Sequence, residues 1–189
     1  MLLTFFQKEC KNGTLHNCKH LYLCPMSFKL HQLPRILKAT LVVFLLALAF
    51  GYFSGLDILG HTTDFKAQGV EESVLGNNMD MEAEELKFKM SERELHGIIH
   101  SHVITLSLLF LILELLIYFT TIPKFLKRFL MVEPNVSLVL TFGGLWLLWS
   151  GVLWMKYLVM ISGVLMHLSV IAMIVCLLYE LILVKHHQD

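Results

Sequence analysis

Charge is what this sequence has least of. Only 16% of its 189 residues are Asp, Glu, Lys or Arg, where a soluble domain carries about 25%. Apolar side chains make up 56% and the mean hydropathy is +0.67. That balance excludes an ordinary soluble domain of this size and leaves a membrane as the natural solvent. Neither sign of charge is in excess, since fifteen basic residues face fifteen acidic ones. The concentrated positive surface that nucleic acid requires is therefore missing. Also absent are a nucleophile elbow, a phosphate loop, an H-E-x-x-H pattern, a C-x-x-C-H haem-attachment site and a dinucleotide fingerprint, which argues against a hydrolase or a nucleotide-driven pump. No inverted repeat is visible, so a self-contained secondary transporter fits poorly. The chain leans toward a non-enzyme.

Cysteine is scarce, and three of the four, Cys10, Cys18 and Cys24, fall in the first 25 residues with His16 and His20 between them. Two readings of this stretch stay open. One is a zinc site, although no paired C-x-x-C half is present. The other is an upstream or disordered extension, because Met26 opens a run typical of an inner-membrane protein, "MSFKLHQLPRILKATLVVF". No small-residue cleavage site follows the first apolar run, so that run reads as a retained anchor. The expected organisation is an extension over 1–25 and one transmembrane domain over 26–189.

What the sequence does have is long intervals free of charge. A helix crossing the roughly 30 Å hydrocarbon core needs about 20 apolar residues. Four intervals qualify: Ala39 to Leu56, Leu95 to Pro123 broken only by Glu114, Pro134 to Met155, and Tyr157 to Tyr179. Lipid offers backbone amides no partner, and a helix satisfies them internally. The fold class is all-α, an integral membrane four-helix bundle with helices at about 37–56, 92–121, 135–155 and 157–184. The basic residues set its orientation. Lys29, Arg35, Lys38, Lys124, Lys127, Arg128 and Lys185 share one side, while Lys66, Lys87, Lys89, Arg93 and Lys156 lie on the other beside ten acids. The positive-inside rule then favours both ends in the cytoplasm of a bacterial inner membrane.

Residues 57–94 form a short acidic periplasmic loop in this reading, with Glu82 to Lys89 helix-prone and turns at Gly69 and Gly76-Asn77-Asn78. Ser91 and Glu94 make a capping box that starts the second helix at Glu92. His96, His100 and His102 then emerge at its outer end. His96 and His100, four apart, share a face able to clamp a metal, and His61 in the loop is a further candidate axial ligand for haem. The competing interpretation leaves these imidazoles as interfacial polar groups bonded to water, headgroups or carbonyls.

Seven-residue steps from His100 reach Ser107, Glu114 and Thr121, a stripe that should face the bundle. The fourth helix carries Ser162, Met166, Ser169, Met173, Cys176 and Glu180 at heptad spacing, with His167 just off that seam. Glu114 and His167 form a candidate buried pair, either a proton-carrying site or polar glue. Glu180, near the cytoplasmic edge, has Lys185 and headgroups within reach. In the third helix Ser137, Gly144 and Gly151 share a face that lets another backbone approach closely. Trp154 and Tyr157 suit an aromatic belt, and Trp146 and Trp149 either flank a flat cofactor or simply pack.

"GVEESVLGN" (69–77), "FKMSERELHGIIHSHV" (88–103), "SGVLM" and "LYEL" together resemble an uncharacterised family of small four-helix bacterial inner-membrane proteins with an H-x-H pair at the outer end of the second helix. Only His100 and His102 match that pair. The resemblance implies accessory proteins of haem or respiratory systems, and so raises haem b or a transition metal as cofactor and a cytochrome-type complex as partner beside the lipid bilayer. The leading expectation is a non-catalytic subunit that holds haem or metal through His100 and His102, with His96 and His61 as further candidates. A structural or assembly protein without cofactor is the alternative, and proton or ion passage past Glu114 and His167 is the third.

Overall fold

A computed structural model describes residues 29–77 and 86–184. The first 25 residues, with their Cys and His, lie outside the described residues, as does Lys185. After a 3-10 turn over Leu30–Gln32 come α1 (Arg35–Thr63), α2 (Ala67–Leu75), α3 (Glu92–Tyr118), α4 (Lys124–Trp149) and α5 (Met155–Ile182). The described residues contain no strand. Helices α1, α3, α4 and α5 are each long and apolar enough to cross a membrane. At 26 to 29 residues they span about 40 Å. The all-helical membrane bundle expected from the charge-free intervals is the observed fold.

The helices run alternately up and down. One end gathers the Leu30–Gln32 turn, the α3–α4 connection and the last turn of α5. The other gathers α2, the segment before α3 and the α4–α5 turn. Packing is uneven: 44% of the most apolar window of α4 is buried within the protein but only 6% of that of α1. The core forms where α3, α4 and α5 meet, around Phe110, Leu113, Leu138, Met166, Val170, Met173 and Leu177. Leu30 plugs this core from below and its amide donates to the Phe119 carbonyl at 3.0 Å. That plug ties the start of α1 to the bundle.

Local chemistry explains the boundaries. Ser91 Oγ accepts from the Glu94 amide at 3.3 Å while Glu94 Oε2 accepts from the Ser91 amide at 2.9 Å, so the expected capping box starts α3 at Glu92. Helix α4 begins at Lys124, eleven residues before the expected start at 135, and carries Pro134 inside it. The charge-free rule failed there because Glu133, read as a boundary, is a buried helical residue bonded to Ser137. Gly151 is no packing glycine either. It adopts φ 102° just past α4, where its amide donates to Leu148 and the Val152 amide to Leu147, a glycine-terminated helix stop. Gly144 does permit close approach, since a Cβ there would sit 2.8 Å from Val159 Cγ2 of α5.

The loop after α1 departs most from expectation. Helix α1 continues past Leu56 to Thr63 and ends on left-handed Asp64 and Phe65, at φ 51° and 52°. A short helix not expected from the sequence is Ala67–Leu75, and only the end of the helix-prone stretch Glu82 to Lys89 is described. Residues 86–89 are not helical, and 78–85 lie outside the described residues. Gly69 sits inside α2, where a Cβ would collide with the Thr63 carbonyl, so its role is a tight corner between α1 and α2. Gly76, at φ 82°, does mark a turn. The Met90 amide bonds Val74, and Lys156 Nζ pairs with Glu71 at 2.5 Å, which fastens α2 across the bundle end.

Candidate functional site

The outer histidines go to separate neighbours. His96 lies 3.6 Å from Glu92 and sets its ring edge-on to Trp146 at 5.0 Å. His102 donates from Nδ1 to the Ile98 carbonyl at 2.9 Å and packs against Phe142. That bond leaves Nε2 as the outward nitrogen. His100 is exposed, and His61, near the end of α1 and 83% exposed, lies 3.8 Å from Asp57. Among the described residues no three His, Cys, Asp or Glu side chains converge on a point that could hold a metal ion. An open groove beside them, lined by Ser73, Phe88, Met90, Glu94, Gly97 and Ser101, contains none of the histidines. Trp149 is held by the segment before α3: its Nε1 donates to the Met90 carbonyl at 2.8 Å and Lys89 Nζ lies over its ring.

The polar chemistry concentrates instead inside the bundle. Glu114 is buried, but its partner is Asn135 of α4, whose Nδ2 donates to Oε1 at 2.5 Å. His167 donates from Nδ1 to the Gly163 carbonyl at 2.6 Å and sets its ring 5.3 Å from that of Tyr52 on α1. The expected Glu114–His167 pair is therefore not made. The two sit at different levels: Glu114 is four residues from the end of α3, whereas His167 is twelve residues into α5 from the opposite end.

Along one face of α4 stand Glu133, Ser137 and Thr141, four residues apart, followed by Gly144. Such spacing points all of them toward α5. Thr141 Oγ1 meets Ser162 Oγ of α5 at 2.8 Å, and Ser137 Oγ donates to Glu133 Oε1. Glu133 is 7% exposed, and its other oxygen, Oε2, is buried with no hydrogen-bond partner. The same is true of Tyr52 Oη.

A third carboxylate closes the lower end. Glu180 is 1% exposed and was expected to meet Lys185 and headgroups. It turns inward instead. Oε2 accepts from the Thr121 amide at 3.2 Å and from Thr121 Oγ1 at 2.7 Å, while Oε1 lies 3.1 Å from His31 Nδ1. Lys127 Nζ, nearby, donates to the carbonyls of Tyr118 and Thr120. Three elements distant in sequence thus converge on one carboxylate. Of the stripe His100, Ser107, Glu114 and Thr121, only the lower members serve the bundle, since Ser107 bonds its own helix at Val103.

Residues 64–188 match the model of a family described as a transmembrane helical domain, Aq_1264_TM. The match covers α2 to α5 and most of the chain. The chain belongs to this family. No curated protein and no solved structure matches it. The Aq_1264_TM assignment agrees with a multi-pass protein in contact with the lipid bilayer, and α1 lies entirely before the matched region.

Proposed function

We propose that this Aq_1264_TM protein is a non-catalytic ion-handling membrane protein, one that passes or exchanges protons through the interior of its four-helix bundle. The observation that carries the reading is the burial of Glu114, Glu133 and Glu180 among helices apolar enough to cross a membrane. An ionisable group in hydrocarbon is costly, and where it persists it marks a pathway or relay more often than a surface residue does. Here Asn135, Ser137, Thr141, Ser162, Tyr52 and His167 extend the carboxylates into a polar column between the two bundle ends. In this reading the helices cross a bacterial inner membrane with the Leu30–Gln32 end in the cytoplasm, the side favoured by Lys and Arg. Proteoliposomes under a pH gradient test it. Purified protein should raise proton flux above that of empty vesicles, and Glu114→Gln or Glu180→Gln should lower it. Equal flux with and without protein would remove the reading.

A second reading keeps haem or a transition metal at the outer end, serving a respiratory or cytochrome-type complex. Its support is His102, whose Nδ1 is fixed by the Ile98 carbonyl, the kind of orientation that prepares Nε2 for a metal. His100 and His96 precede it on α3, by two and six residues. A Soret band in protein from haem-replete cells, lost in His100→Ala with His102→Ala, would support it. No Soret band and no metal by elemental analysis would dismiss it.

A further inference from the structure

We propose that the groove at the outer end of α3 binds one phospholipid with a primary ammonium headgroup, phosphatidylethanolamine in chemical class. The inference does not draw on the ion-handling reading and needs only that the four long apolar helices cross a bilayer. The groove holds about 470 Å3, within the range of small-molecule sites. It lies where water gives way to hydrocarbon, since Glu94 in its lining is the last charged residue of α3 before Glu114. Below Glu94 the groove runs onto the side of α3 turned away from the core. Gly97, Ser101, Ile104, Leu108 and Leu115 follow at steps of four, three, four and seven residues and so share one face. The three apolar members are exposed. An acyl chain lying along them brings its own headgroup into the groove.

The walls are formed in advance. Met90 is held at both backbone groups, its amide donating to the Val74 carbonyl at 3.0 Å and its carbonyl accepting from Trp149 Nε1 at 2.8 Å. With the exposed Phe88 it makes an apolar side. Gly97 leaves the floor open, because a Cβ there would meet nothing within 4 Å. The polar lining consists of acceptors. Ser73 Oγ donates to the Val70 carbonyl and Ser101 Oγ to that of Gly97, both at 2.8 Å, so toward a ligand each hydroxyl can only accept. Glu94 accepts from the Ser91 amide and hydroxyl through Oε2, and Oε1 remains for a ligand. Among the described residues no Lys or Arg lines the groove. A carboxylate and two accepting hydroxyls match a primary ammonium, which carries three donors, a positive charge and no acceptor. A trimethylated ammonium has no N–H to give, and a glycerol headgroup brings no positive charge. Arg93, exposed and next to Glu94 in sequence, gives the phosphate of the same headgroup a counter-charge.

The intact protein in phosphatidylcholine nanodiscs tests the site, with a phosphatidylethanolamine carrying a photoreactive diazirine near the start of its acyl chain as the probe and peptide mass analysis to locate the adducts. Over residues 88–108 labelling should saturate as the mole fraction of probe rises. On the exposed face of α4, at Val132 and Val139, it should rise only in proportion. Gly97→Leu adds a side chain where a Cβ finds open space, and should remove the saturating component while leaving the α4 signal unchanged. Glu94→Gln keeps the capping box and should raise the mole fraction at half-saturation about tenfold, the worth of one charge-assisted hydrogen bond. The same probe built on phosphatidylglycerol should not saturate. Proportional labelling over 88–108, or saturation that survives Gly97→Leu, would reduce the groove to a surface wetted by bulk lipid and overturn the proposal. Equal saturation by the phosphatidylglycerol probe would overturn the ammonium specificity. Labelling of α4 with none over 88–108 would show that protein covers the groove, and would overturn the proposal as well.

Discussion

Replacing Glu180 with Leu should loosen the lower end of the bundle by an amount the geometry sets. Three donors reach this carboxylate: the Thr121 amide, Thr121 Oγ1 and His31 Nδ1, at 3.2, 2.7 and 3.1 Å. Polar contacts between membrane helices average about 0.6 kcal/mol and reach about 1.7. Three of them therefore amount to about 2 kcal/mol and at most about 5. The lower figure is already a change of about thirtyfold in the folding equilibrium. Glu180→Gln keeps one acceptor oxygen and should lose only about 1 kcal/mol. Adding Thr121→Val and His31→Leu to Glu180→Leu should recover part of the loss, because removing both partners costs less than orphaning one. Reversible unfolding in mixed lipid–SDS micelles, followed by circular dichroism, measures all of these. A loss below about 0.5 kcal/mol for Glu180→Leu would refute the view that this carboxylate organises the bundle end.

Gly144→Leu should separate α4 from α5, since even a Cβ there meets Val159 Cγ2 at 2.8 Å; the same micelle assay should read a loss of about 1–3 kcal/mol. Gly69→Ala should break the corner between α1 and α2 by driving a methyl into the Thr63 carbonyl, seen as faster hydrogen exchange over 67–75 with α4 and α5 unaffected. Ser91→Ala should remove the cap of α3 at a cost of about 1 kcal/mol, with faster exchange confined to its first turn.

The fold was largely legible because a bilayer imposes one simple condition on the sequence. Long uncharged runs located all four spans, and Ser91 with Glu94 fixed the start of α3. The same condition hid the interior site. Counting charges as boundaries placed Glu133 outside its helix, although the steps of four, four and three residues from Glu133 through Ser137 and Thr141 to Gly144 describe one buried face. Glu180 was visible on the α5 seam, but its partners His31 and Thr121 are 149 and 59 residues away in sequence. No local pattern could join them. The burial of Glu114 is legible in the sequence, but its partner Asn135 is not, because depth along α5 does not reveal which side chain α4 presents. The histidines were conspicuous by type, and their neighbours Glu92, Trp146, Ile98 and Phe142 follow from how α3 turns against α4.

The carboxylates lie in a membrane interior only if the helices cross lipid in alternate directions. Single cysteines at Lys87 and Lys124, in a chain whose four native cysteines are changed to serine, test this directly in sealed vesicles with an impermeant thiol reagent. Reagent added to one side should modify the cysteine at 87 alone, and reagent added to the other side the cysteine at 124 alone. Modification of both from the same side would contradict the alternating bundle and the polar interior built on it.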